Sequence, residues 1–251
     1  MSLEISSHDS LQVKAPQVNA DKTSAPQLSA EQKNVQQSIV VGDVTCSQGE
    51  SHSVLTNIYQ PEHNIVVWQR SLSDDLRAHI AHCVEQNPRL NLEKTINVDS
   101  VDADINAVLL PLGFNDELTE NIVSLVDMFS CLFELKRVGL RLKVLEQAMC
   151  PRFHVDWVPC RLVTSFCGVG TQWIPHTQVD RTKLGAGNNG LSDDQSGLYQ
   201  DQSCIHGISS GDVALLKGEG WFDNEGVGIV HRSPPNSANE KRLLLTLDFI
   251  S

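Results

Sequence analysis

The chain reads as an α+β protein, with helical periodicity in its middle and short β-prone runs between turn signals in its last hundred residues. Three observations carry this. Leu118, Ile122, Leu125, Val126, Phe129, Leu132, Phe133 and Leu135 recur at helical spacing between about Asp116 and Val138. From Gly139 onward apolar residues either alternate with polar ones or stand in runs bounded by glycines, which is the strand signature. Residues 1 to about 37 are dominated by Ser, Gln, Ala, Asn, Lys and Pro with no sustained period, which predicts a disordered N-terminal tail before one domain over 38–251. With 251 residues, 40% of them hydrophobic, the chain can bury one sizeable core.

Taken in order, structure is expected to begin near Ser38-Ile39-Val40-Val41 or at Val54, and Asn64-Ile65-Val66-Val67-Trp68 reads as a strand. A helix follows, with Ser71 and Asp74 at capping-box spacing, an apolar face of Leu72, Leu76, Ile80 and Val84, and a stop at Asn87-Pro88. His79 and His82 ride on it and are expected in solvent. The longer helix takes Asn115 as its cap, reaches about Val138 and packs across an outer sheet. Gly139–Leu145 alternates Leu140, Leu142 and Val144 with Arg141, Lys143 and Leu145, a strand whose basic face is expected in water. Strands are also expected at Arg161–Phe166, Thr171–Pro175, Val213–Leu216, and the approach to His231. In the last strand, Lys241–Ile250, Leu243, Leu245 and Leu247 share one face and Arg242, Leu244, Thr246 and Asp248 the other.

The residues that carry chemistry lie among these strands. In His154-Val155-Asp156 an extended backbone sends the imidazole and the carboxylate to the same side. His231 supplies a second imidazole. Two imidazoles and one carboxylate on one face of a metal leave open positions for substrate and dioxygen, the pattern of non-haem iron(II) oxygenases. Arg242 follows His231 by eleven positions, a distance that suits a hairpin returning to the same interior.

This order of His-x-Asp, Arg-containing strand, Gly-Val-Gly-Thr turn, Gly-Asp strand, distal His and basic residue resembles the iron(II)- and 2-oxoglutarate-dependent oxygenases, especially the prolyl-hydroxylase-like branch. The resemblance covers roughly the last 100 residues. It implies a double-stranded β-helix, a jelly-roll or cupin-like core with flanking helices. It also implies Fe(II) held by His154, Asp156 and His231, and Arg242 on the distal carboxylate of 2-oxoglutarate. Many members share that carboxylate with a Tyr or Asn early in the barrel; here the candidates for that place are Thr164, Arg141 and Lys143. The strings Phe153-His154-Val155-Asp156-Trp157 and His231-Arg232-Ser233-Pro234-Pro235 also resemble an uncharacterised bacterial family of unknown function, whose members tend to be encoded near zinc-starvation genes. That likeness implies metal biology without a reaction. The alternatives are therefore a non-catalytic zinc-binding or sensing module and a cupin-type isomerase or hydrolase on the same ligands.

A formal net charge of −12 disfavours a nucleic-acid partner. No run approaches the roughly 18 apolar residues of a membrane span, and the N-terminus has no signal-peptide pattern, so a cytoplasmic protein acting on a small molecule or peptide is expected. Seven cysteines without a CxxC are expected as free thiols. Cys150, Cys160 and Cys167 flank the His-x-Asp, and a thiolate at the metal would favour zinc. The polar stretch from His176 to Ser210 is expected to form a lid that brings His176 and His206 toward the site.

Overall fold

The structure, a computed structural model, describes residues 45–235 and 240–250; the expected tail and the Ser38–Val41 start lie outside them. β1 (Thr45–Gly49) and a 3₁₀ turn around Val54 precede β2 (His63–Trp68). α1 spans Asp74–Gln86, β3 Asn91–Asn97, α2 Val101–Leu109 and α3 Asp116–Phe133. Then come β4 (Arg137–Leu145), β5 (Cys160–Cys167), β6 (Gln172–Ile174), β7 (His206–Gly207), β8 (Val213–Lys217), β9 (Val230–Arg232) and β10 (Arg242–Phe249).

Local chemistry explains most helix ends. Asn115 caps α3 by accepting from the Leu118 amide at 3.1 Å, as expected. On α1 the cap is Ser73, not Ser71: its Oγ accepts from the Leu76 amide at 3.1 Å, and Asp74 and Asp75 place two acids in the positive first turn. α3 ends at Phe133, short of Val138, where Glu134 turns left-handed at φ 53°, because pairing with β3 and β10 claims the chain from Arg137 onward. His79 is not solvated surface. Its Nε2 accepts from the Asn115 amide at 3.0 Å and ties α1 to the start of α3, whereas His82 is exposed.

The strands form two sheets. The larger runs β1-β2-β8-β5-β10-β4-β3 and the smaller β7-β6-β9, which a bridge from His154 to His231 extends by one position. From β4 onward the chain passes back and forth: β4 large, His154 small, β5 large, β6 and β7 small, β8 large, β9 small, β10 large. This is the two-sheet winding of a double-stranded β-helix, with β1, β2 and β3 added at the edges of the large sheet. β9 and β10 therefore do not form the expected hairpin. Arg242 enters the interior from the sheet opposite His231.

Alternation divides the core in three. On the outer face of the large sheet, Leu140, Leu142, Leu162, Leu243, Leu245 and Leu247 pack under Leu76, Ile80, Leu118, Ile122 and Phe129 of α1 and α3. Truncating one of these leucines, such as Leu245, to alanine costs about 2–5 kcal/mol. Between the sheets lie Ile65, Val67, Val163, Trp173, Ala214, Leu216 and Leu244. On the outer face of the small sheet, Phe153, Ile174 and Val230 meet Leu198, Tyr199 and Cys204, with Val155, Val179 and Leu184 against them. Among the described residues, no helix is long and apolar enough to cross a membrane.

Candidate metal centre

Strand period sends Val230 outward and His231 inward, and likewise Phe153 outward and His154 inward. The His154–His231 bridge, with amide-to-carbonyl bonds of 3.0 Å in both directions, makes the two histidines direct cross-strand neighbours, their ring centroids 4.6 Å apart. The His-x-Asp is thus a single bridge followed by irregular backbone rather than a strand, yet Asp156 still returns to the same side. Its Oδ1 lies 3.7 Å from Nε2 of His154 and its Oδ2 3.5 Å from Nε2 of His231. One ligand atom from each of the three lies within 4.8 Å of the others, a group able to hold a metal ion.

The surrounding groups prepare these donors. Nδ1 of His154 lies 2.9 Å from the Arg152 carbonyl and Nδ1 of His231 lies 3.2 Å from the Ile229 carbonyl. A carbonyl only accepts, so each Nδ1 carries the proton and each Nε2 keeps a lone pair for a metal. Burial, then the neighbouring His231, lowers the pKa of His154, which favours its neutral, ligating form. Burial by itself would raise the pKa of Asp156, but His231, Arg161 and His154 together hold it well below the usual carboxylate range. Side-chain exposure is 34% for His154 against 7% for His231, so the group opens to solvent on the His154 side.

A residue that sequence reasoning did not single out, Arg161, steadies the carboxylate. It donates from Nη1 to Asp156 Oδ2 at 2.5 Å and from Nε to Asp248 Oδ1 at 2.7 Å, while Arg141 closes on the other oxygen of Asp248. Arg161 lies two positions from Val163 on the interior face of β5, and that two-residue period was the available signal. The backbone is held as closely: a Cβ on Gly218 would stand 2.6 Å from the Asp156 carbonyl oxygen and 2.2 Å from that of Val158.

Arg242 is 1% exposed and points between the sheets. It donates to three hydroxyls: Ser165 from Nε at 2.9 Å, Ser233 from Nη1 at 2.9 Å and Thr171 from Nη2 at 2.8 Å. Among the described residues no carboxylate pairs with it. Burial alone lowers its pKa to about 10, leaving a guanidinium that is charged at neutral pH and without a counter-charge. Gly168, at φ 75°, lets the β5–β6 turn pass against it; a Cβ there would come within 3.1 Å of the Arg242 Cβ. Ser233 lies two positions beyond His231, so one extended segment touches both the guanidinium and the ligand group.

Other candidates are placed elsewhere. Thr164 pairs with Leu245 and Val213 on the outer, helix-facing side of β5, and its buried Oγ1 has no hydrogen-bond partner, so it does not reach the Arg242 pocket. Arg141 and Lys143 are both partly exposed, and each is paired, with Asp248 and Glu93 respectively. The His176–Ser210 stretch is not a lid over the ligands: its Val179, Leu184, Leu198, Tyr199 and Cys204 pack on the outer face of the small sheet, opposite the ligand face. His176 lies by Arg181 and Glu219 and does not join the ligand group. His206 does face inward, stacked on Trp173 at 4.7 Å. All seven cysteines are free, and none belongs to the ligand group found among the described residues.

Several solved structures are similar in outline. They include the dioxygenase for auxin oxidation 1 from Arabidopsis thaliana, as a 2-oxoglutarate binary complex (TM-score 0.42, 9% identity, 75% of this chain and 83% of that one). A prolyl-4-hydroxylase of Pseudomonas putida gives TM-score 0.38 and 14% identity over 78% of this chain and 96% of that one. The non-heme alpha ketoglutarate dependent carbocyclase SnoK from nogalamycin biosynthesis gives TM-score 0.38 and 11% identity over 78% of this chain and 83% of that one. No curated protein is matched in sequence. Over residues 49–248, a span that holds the ligand group and Arg242, the chain matches the family described as protein of unknown function (DUF1826), and it belongs to that family.

Proposed function

We propose that this protein is an iron(II)- and 2-oxoglutarate-dependent oxygenase, with His154, Asp156 and His231 as the metal ligands and Arg242 as the anchor of the cosubstrate's distal carboxylate. The observation that carries the reading is Arg242 itself. A fully buried guanidinium bonded only to hydroxyls, in the same interior as two imidazoles and a carboxylate, calls for an anionic ligand. The donor set suits the metal: two neutral imidazoles and one carboxylate on one face leave coordination positions free, and Nδ1 bonds to carbonyls fix both rings.

When bound, iron supplies the redox chemistry toward dioxygen and the cosubstrate. The residues of the chain do the rest. His154 and His231 present Nε2, Arg161 orients the carboxylate of Asp156, and Ser165, Thr171 and Ser233 aim the Arg242 fork at a carboxylate, which it can bind through two N–H groups. The test is anaerobic titration of metal-free protein with iron(II) and then 2-oxoglutarate. A visible charge-transfer band that appears only with both, and is lost in Asp156→Ala, is expected. Tight metal binding with no band and no measurable 2-oxoglutarate affinity would overturn the reading in favour of a non-catalytic metal-binding module.

A further inference from the structure

A cavity of about 280 Å³ lies between the β1–β2 edge of the large sheet and the β6–β7 edge of the small one, and none of the metal ligands, nor Arg242, lines it. It is nevertheless joined to the ligand group by strand pairing. His154, His231, Trp173 and His206 are successive cross-strand partners on the inner face of the small sheet, the first two in the ligand group and the last two in the cavity wall. Neighbouring strands are about 4.8 Å apart, so the wall begins one strand from a metal ligand.

The lining has a particular chemistry. Gln48, Asn64, Gln69 and Gln178 bring carboxamides to a wall that also holds Trp173 and His206, the Asn64 amide being already bonded to the Val227 carbonyl; Asp212 is the one carboxylate, and no Lys or Arg takes part. Gln178 Oε1 is withdrawn from solvent and has no hydrogen-bond partner, so one acceptor of that amide is left unmet within the protein. A carboxamide both donates and accepts, and pairs best with a group that does the same. Asp212 opposes an anion, and its Oδ1 is already taken by the Arg70 amide at 3.0 Å. The volume suits one ring or a short side chain.

We infer that this cavity is the substrate subsite of the metal centre and that it takes an uncharged planar group with an amide-like donor–acceptor edge, such as a carboxamide or a lactam ring, and not an anion. The inference rests on the oxygenase reading for its connection to the metal, and on the lining residues for its choice of ligand.

Three probes of equal size decide the charge: benzamide, benzoate and benzylamine, titrated into metal-free protein while the Trp173 indole NMR signal, assigned with Trp173→Phe, is followed. Benzamide is expected to shift the signal at concentrations where the other two do not. Gln69→Leu and Gln178→Leu, each checked for an unchanged melting temperature, should each weaken benzamide about tenfold, the loss of one neutral hydrogen bond. The same titration with manganese(II) at the ligand group should broaden the benzamide protons, and Asp156→Ala should abolish the broadening. No shift with benzamide, an equal or stronger response to benzoate or benzylamine, or indifference to both glutamine variants overturns the ligand class. Benzamide bound without broadening, in protein that demonstrably holds manganese, overturns the link to the metal. Failure to hold manganese at all would count against the oxygenase reading, while the benzamide shift in metal-free protein would still judge the cavity.

Discussion

Arg161 holds Asp156 by a 2.5 Å hydrogen bond to the oxygen nearer His231, and Asp248 holds Arg161 in turn at 2.7 Å. The ligand carboxylate is therefore fixed by a chain of charges rooted on β10, the strand that also begins with Arg242. Arg161→Met should leave the fold in place and weaken manganese(II) or iron(II) binding by about 10- to 100-fold, the usual effect of removing an outer-shell partner of a metal ligand. Calorimetric titration reads it. Affinity equal to the parent would mean that the carboxylate needs no such support.

His154→Ala, Asp156→Ala and His231→Ala should each abolish stoichiometric metal binding in protein that still folds, because each removes one of three converging donors. Anaerobic metal titration by calorimetry or equilibrium dialysis, alongside a circular dichroism melt, checks this. If all three variants bound one metal as the parent does, the site would lie elsewhere.

Arg242→Ala should weaken 2-oxoglutarate by about 2 to 5 kcal/mol, the range for losing one member of a buried charge pair, while metal affinity changes little. Arg242→Lys should recover only part of it, since the charge stays but the planar fork is lost. The charge-transfer band measured against 2-oxoglutarate concentration gives both numbers. Unchanged cosubstrate affinity in the alanine variant would remove Arg242 from the site.

Lys217 gives a prediction independent of the metal. It is 1% exposed, its Nζ donates to the Gln60 carbonyl at 3.0 Å and stands 4.8 Å from the Trp221 ring centroid, and burial lowers its pKa to about 8. The unfolded lysine titrates near 10.4. Between these two values the unfolded chain binds more protons than the folded one, so this group's contribution to stability rises with pH through that window and is least favourable below about 8. Lys217→Met should therefore be more stable than the parent at pH 7, with a difference that shrinks from about pH 8 to 10. Melting temperatures of the pair across that range test it; a constant difference would show that Lys217 stays charged in the fold.

Much of the site was legible because it depends on local period. Alternation separates Arg242, Leu244 and Thr246 from Leu243, Leu245 and Leu247, as the structure has them; His154 and Asp156 also share a side as expected, but through a single bridge and irregular backbone rather than through a strand. The α3 stripe was equally plain, since a helix buried on one side must show its period. β3 and α2 were not anticipated: an edge strand such as Asn91–Asn97, with one buried residue, shows almost no apolar pattern.

What only the tertiary structure decided is which face of a strand meets which sheet. β5 is buried on both sides, with Leu162 and Phe166 under the helices and Val163 between the sheets, so its period groups Arg161 and Ser165 with Val163, and Thr164 with Leu162, without saying which group faces the other sheet. The consequence is that Thr164 turns away from Arg242 while Ser165 binds it and Arg161 crosses to Asp156. The His176–Ser210 stretch is similar: its scattered apolar residues have no rhythm, and only the apolar outer face of the small sheet, with Phe153, Ile174 and Val230, gives them a surface to cover. Sequence period assigns side chains to faces, but long-range pairing and burial assign the faces to the interior, because only the assembled sheets determine which apolar surfaces are left to be removed from water.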